Sequence, residues 1–326
     1  MDYLDDLFDR LENENLRLGL ELPKGVKYQS DLTVSWEARI EANNLSDKKW
    51  IPLLKLRLEK EKITIKRINI INVLVSLADK CNENSIADYI INLVRIEKVR
   101  WIRDVALTAL NGSKLEINNE KEYLFQLIHN KDWQITLNAL GLLKRLDTSY
   151  SIRIESSCVE LLNEYKKKPH ELSSICNVLS KHGTKKSIEP IKQVARNNSK
   201  AFTVNSALTA IESIDGSNEM DFFIEIFQNN TNNDVKSIVS QLLCKFGDER
   251  VFELLLKRVK SILSKKRETN YIYVGGTKPE LVHILEFLTK FKDKRVNILI
   301  EFIRTKKIEL LDETELKWFN DKITSA

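Results

Sequence analysis

The chain has 326 residues, 30% of them charged, with 52 Lys+Arg against 47 Asp+Glu and a net charge of +5. Both signs are plentiful, so the surface is well solvated with a mild basic bias, unlike the concentrated basic stripe of a dedicated nucleic-acid binder. The apolar runs are short and the N-terminus is acidic, which excludes a membrane-spanning helix and predicts no secretion signal.

Residues 2–18 read as an amphipathic helix. Leu4, Leu7, Phe8 and Leu11 share one face, and Asp2, Asp5, Asp6, Asp9 and Glu12 lie on the other. A polar-faced end segment of this kind suits the cap of a repeat array. Leu20 to Gln29, with Pro23 and Gly25, reads as a loop. Val34 to Ile40 opens an irregular first cycle, and Trp50 to Leu58 predicts the next helix.

A regular pattern then begins. In Asn130–Leu146, Asp132 can cap a helix whose apolar residues run in two lines, Trp133, Leu137, Leu140 and Leu143 beside Ile135, Ala139, Leu142 and Leu146. Gln134, Asn138, Gly141 and Arg145 form a thin polar stripe between them. Two apolar lines suit a helix that packs on its own partner and on both neighbours. Similar openings occur at Ile65, Val99, Ala201 and Val235, with Pro169 in the first turn of a displaced cycle, giving a period of about 34 residues. Helices with one apolar face lie between them, at Ile86–Val94, Tyr123–Ile128, Val159–Tyr165, Ile188–Val194 and Phe222–Phe227.

After Val251–Leu263 comes the basic run Lys265-Lys266-Arg267, and then an insertion, 268–278, containing Tyr271, Tyr273 and the turn signal Gly275-Gly276. Insertions in repeats map to loops, often on a binding face. Helices at Glu280–Leu285, Val296–Ile303 and Glu313–Phe319 complete the chain.

One cycle is therefore helix, turn, helix, turn. The openings Asn232-Asn233-Asp234-Val235-Lys236 and Glu97-Lys98-Val99-Arg100 resemble HEAT repeats, the armadillo-like class, over roughly residues 60–250. The resemblance implies an all-α fold, an α-α superhelix or solenoid of about eight to nine helical hairpins. The expected organisation is one continuous array: an irregular cap region at 1–59, regular repeats at 60–247, and C-terminal repeats at 248–326 carrying the inserted loop.

No glycine-rich phosphate loop, HExxH, GxSxG or Cys/His cluster at metal-ligand spacing is present, so no metal or cofactor is expected. The four cysteines, Cys81, Cys158, Cys176 and Cys244, form no CxxC pair and read as reduced core residues of a cytoplasmic protein. The expected function is non-enzymatic protein binding on the concave wall of the array. The expected contact residues are Lys66, Arg100, Asp104, Gln134, Asn138, Arg145 and Lys236, with Tyr271 and Tyr273 from the insertion. Trp133 is assigned to the core, where truncation to alanine is expected to cost about 3–5 kcal/mol. The alternative is nucleic-acid binding. Trp101 and Asp104, one turn apart, resemble part of the arrangement in HEAT-like DNA glycosylases that remove alkylated bases, where aromatic faces and a carboxylate stabilise developing positive charge.

Overall fold

The computed structural model describes residues 3–15, 32–264 and 278–323. Among them are eighteen α-helices and no β-strand. The chain divides into two compact units, Met1–Leu146 and Asp147–Ala326. In each, helices pack mainly on their sequence neighbours and on the equivalent helix of the adjacent hairpin, the arrangement of an α-solenoid.

The first unit contains α1 (Tyr3–Leu11), α2 (Val34–Asn44), α3 (Trp50–Lys60), α4 (Thr64–Lys80), α5 (Ser85–Ile96), α6 (Arg100–Gly112), α7 (Lys121–Leu127) and α8 (Trp133–Arg145). The acidic α1 buries Leu4, Leu7, Phe8 and Leu11 and packs on α2 and α4, as expected of a cap. Helices α4, α6 and α8 stack side by side as the inner layer, while α3, α5 and α7 back them in turn. The α6–α7 link crosses the preceding hairpin and is held there by carboxylates and an amide. Asp79 accepts from the Lys114 N–H at 2.7 Å and Asn84 Oδ1 from that of Glu116 at 3.0 Å. Asp88 Oδ1 accepts from the N–H groups of Asn118 and Asn119 at 3.1 and 3.0 Å. The buried Leu115 and Ile117 point inward between these anchors.

The second unit contains α9 (Ser151–Glu164), α10 (Pro169–His182), α11 (Lys185–Asn197), α12 (Ala201–Asp215), α13 (Met220–Asn229), α14 (Asn233–Phe246), α15 (Phe252–Ile262), α16 (Glu280–Thr289), α17 (Lys294–Lys306) and α18 (Glu313–Ile323). Here α10, α12, α14 and α16 form the inner layer, and α9, α11, α13 and α15 the outer. Several helix starts carry side-chain caps, the expected Asp132 among them. The side chains of Asp132, Thr184, Asn232 and Asp293 each accept a backbone N–H from the first turn that would otherwise be unbonded. Pro169 is the first residue of α10, where its missing N–H removes no helical bond. Asp312 and Glu315 cap α18 reciprocally: the Glu315 N–H donates to Asp312 Oδ1 at 2.9 Å and the Asp312 N–H to Glu315 Oε2 at 3.0 Å.

Inner helices begin at Thr64, Arg100, Trp133, Pro169, Ala201 and Asn233. Their spacing averages close to the expected repeat length but fluctuates, so a fixed step of about 34 residues drifts against the true helix starts. It meets Val99 at an N-cap, Trp133 at a first helical position and Val235 at a third. Each residue of drift turns a position by about 100° around the helix, so a drift of one or two residues moves it to another face. Val235 is accordingly buried, Val99 exposed and Trp133 half-buried. The placing of Trp133 in a closed core slot is thereby corrected.

Candidate functional site

The residues expected to face a partner in the first unit are engaged largely with the protein itself. Asn138 is 7% exposed, and its Nδ2 donates to Asp104 Oδ1 at 2.8 Å and to Thr108 Oγ1 at 3.1 Å. Asn111 Nδ2 reaches back from α6 to the Asn138 backbone oxygen at 2.8 Å and to its Oδ1 at 3.1 Å. Arg145 donates Nη2 to the Leu115 carbonyl at 2.5 Å and Nη1 to that of Leu110, which lies in the last turns of α6. The Leu110 carbonyl also accepts from the Ser113 N–H and Oγ, and Leu115 belongs to the α6–α7 link, so the guanidinium ties α8 to the end of α6 and to that link. Asn138 and Arg145 of the thin polar stripe thus belong to the seam by which α8 attaches to α6 and the link after it. Treating Asn138 and Arg145 as a free binding stripe is corrected by this geometry.

The other expected contacts vary. Arg100 grips Asp132 in a two-pronged ion pair, its Nη2 3.0 Å from Oδ1, while Asp132 also accepts the Gln134 N–H at 3.1 Å. The Arg100 guanidinium holds the Asp132 carboxyl below its ordinary value, with burial opposing. Burial, reinforced by the Asp132 charge, raises that of Asp104, against the opposing pull of Arg100 and the Asn138 bond. Lys66 Nζ lies 2.9 Å from Asp9 Oδ1 and ties α4 to the cap. Lys236 sits over the Phe227 ring at 5.4 Å. Trp101 stands 55% exposed beside this cluster. Tyr271, Tyr273 and Lys265-Lys266-Arg267 lie outside the described residues.

A further concave feature lies in the second unit. Inner helices α10, α12, α14 and α16 line a groove of about 790 Å³. Its wall repeats polar side chains from helix to helix: Asn177 on α10, Asn205 and Thr209 on α12, Gln241 on α14, and His283 on α16. Its charges are balanced. Lys245 Nζ is 2.8 Å from Glu212 Oε1, and Glu286 accepts from Lys278 Nζ at 2.9 and 3.1 Å. Lys290 lies over the Phe287 ring at 5.6 Å.

Burial pushes the Cys244 thiol up to about 12, and the charge of Glu280 adds to the effect. It is therefore a neutral thiol at neutral pH, lacking the thiolate character of a nucleophilic cysteine. Burial also lowers His283, with Lys278 acting in the same direction and Glu286 opposing, so its imidazole is neutral at neutral pH. The groove presents neutral donors and acceptors between two pairs of opposite charges. That chemistry suits hydrogen bonding to an extended, overall neutral ligand.

None of these groove residues was among the expected contacts. The available signal was the recurrence of small polar and amide side chains late in successive inner helices, such as Asn177, Thr209 and Gln241. The early-helix register drew attention to the opposite end of the same helices. No family model and no curated protein matches this chain.

Proposed function

We propose that this chain is a HEAT-like, non-enzymatic interaction module that binds an extended segment of a partner protein along the α10–α12–α14–α16 groove. The observation that carries the reading is the groove's mixed polar lining with balanced charge. An extended peptide needs donors and acceptors for its backbone, and amide side chains at successive steps supply them. Nucleic acid requires uncompensated cations along its phosphates, and here Lys245 is paired with Glu212. A cytoplasmic setting belongs to the same reading, supported by four cysteines that are all free thiols. No helix among the described residues is long and apolar enough to cross a membrane.

The test is affinity capture from native lysate with and without nuclease, comparing the wild-type chain with a Thr209→Arg/Gln241→Arg variant that fills the groove. A protein retained after nuclease and lost from the variant is expected. Recovery of nucleic acid alone, with a salt-steep mobility shift, would favour the alternative reading. Equal capture by wild type and variant would remove the groove from the mechanism.

A further inference from the structure

A second concavity shares no residue with the groove. It lies between α15 and α17, encloses about 580 Å³, and is lined by Leu256, Leu263, Ile298, Leu299 and Phe302. Both flanking helices bury an apolar face inward, yet α17 also turns Ile298 and Phe302 outward, 69% and 45% exposed. They stand one turn apart on a single face. Beneath them Leu256, Leu263 and Leu299 are recessed, at 6%, 2% and 6%. Recessed apolar surface is reached by inserted side chains, whereas a flat bilayer would meet only the protruding ones.

The rim has one sign. Lys260, Arg295 and Lys307 line the trough, and among the described residues no acidic one does. Arg295 is engaged with Asp293 and Glu253, but Lys260 and Lys307 have no ion-pair partner among the described residues. A second copy of this chain, offering the same basic rim, would meet like charge with like. An apolar floor under unpaired lysines is complementary to a helix with leucine-type side chains on one face and carboxylates beside them.

We propose that the α15–α17 trough is a docking site for an acidic amphipathic helix of a partner protein, independent of whatever occupies the groove. Two apolar side chains of that helix enter over Leu256 and Leu299, and its carboxylates meet Lys260 and Lys307.

The probe is a fluorescein-labelled synthetic peptide of about 15 Glu, Leu and Ala residues, long enough for helix to form, with leucines at i, i+3, i+4 and i+7. A control peptide has the same composition in an order that spreads the leucines around the helix. Anisotropy with the full chain is expected to show binding of the first peptide at least about tenfold tighter than the control. That binding should weaken about tenfold or more in Ile298→Asp and in Lys260→Glu/Lys307→Glu, about 1.4 kcal/mol per tenfold. All three positions are at or near the surface, so these variants should fold; circular dichroism and the melting midpoint verify it. Thr209→Arg/Gln241→Arg should leave peptide binding unchanged.

Equal binding of both peptides, or no anisotropy change up to about 1 mM peptide, overturns the proposal. So does binding that is insensitive to the Ile298 and lysine variants. Co-sedimentation with vesicles of phosphatidylglycerol and phosphatidylcholine, lost in Ile298→Asp and unaccompanied by peptide binding, would assign the trough to a membrane surface and overturn it equally.

Discussion

Arg258 of α15 and Glu280 of α16 form a two-pronged ion pair inside the second unit, Nε to Oε1 at 2.8 Å and Nη2 to Oε2 at 3.0 Å. Both side chains are almost fully covered. Ser240 Oγ of α14 donates to the same Glu280 Oε1 at 2.8 Å, and Arg258 Nη1 donates to Asn233 Oδ1 at 3.1 Å. Three consecutive helices thus meet at one buried charge pair. Removing one partner leaves the other charge buried, so Arg258→Ala or Glu280→Ala should each destabilise the chain by about 3–5 kcal/mol. Arg258→Met/Glu280→Leu removes both charges and should lie within about 1.5 kcal/mol of wild type, because the Ser240 hydroxyl can turn its one proton to the Lys236 carbonyl, 2.8 Å away. Urea unfolding of the four proteins measures the coupling. Additive single and double losses would show that the pair does not act as a unit.

The seam between α6 and α8 allows a sharper test of geometry. A methyl group added at Gly141 would sit 2.6 Å from Asn111 Oδ1, closer than real side-chain carbons approach. Gly141→Ala should therefore displace Asn111 from Asn138, and the expected cost is about 1–3 kcal/mol, for the loss of buried hydrogen bonds. In an Asn111→Ala background the three nearest atoms, all of the Asn111 side-chain amide, are gone. There it should be neutral or slightly stabilising, since alanine is the better helix former. A double-mutant cycle by thermal denaturation reads this directly. Equal effects of Gly141→Ala in both backgrounds would refute the assignment.

Helix identity was legible in the sequence because each inner helix needs two apolar lines, and Ile135, Ala139 and Leu142 beside Leu140 and Leu143 print that pattern. The Asp132 cap was equally plain, being a local side-chain bond to the first turn. Facing was not. Lys66, Arg100 and Gln134 follow a fixed period, but the helices start at unequal intervals, and a shift of one or two residues changes which side of a helix a residue occupies. Polarity added a second ambiguity. Asn138 and Arg145 look like solvent-facing residues in a one-dimensional stripe, yet their partners are Asp104, Leu110 and Leu115 of the preceding hairpin, between 30 and 35 residues away. Only the stacking brings them together.

The tryptophans follow from burial rather than residue type. Trp101 is 55% exposed, so Trp101→Ala should change stability by no more than about 0.5 kcal/mol. Trp133 is half-buried, and its truncation should cost about 1–3 kcal/mol, less than the loss expected for a closed core site. Phe223, with no exposed surface, sets the upper reference: Phe223→Ala should cost about 3–5 kcal/mol. Chemical denaturation of the three variants should rank them Trp101, Trp133, Phe223 in increasing loss. A Trp133 loss matching that of Phe223 would restore it to the core.

Asp104 gives the molecule a pH dependence of definite sign. Its folded carboxyl is raised above the ordinary 3.8, first by burial and then by the neighbouring Asp132 charge, with Arg100 and Asn138 opposing. A carboxyl raised on folding binds its proton more tightly in the folded chain, so its contribution favours folding at low pH and declines as pH climbs from about 4 through the raised value. Asp132 has the reverse sign: lowered chiefly by Arg100, it contributes stability above its ordinary value and loses it as pH falls through its folded one. Asp104→Asn removes the first dependence while keeping an oxygen that can accept from Asn138 Nδ2. The variant should be at least as stable as wild type at pH 7 and should gain relative to it as pH rises from about 4 to 7. Asp132→Asn should lose stability at pH 7 and converge on wild type in acid. Urea midpoints taken across that range decide both. An Asp104→Asn protein that falls progressively below wild type as pH rises would mean that the ionised carboxylate is favoured in the folded chain, contrary to its burial beside Asp132.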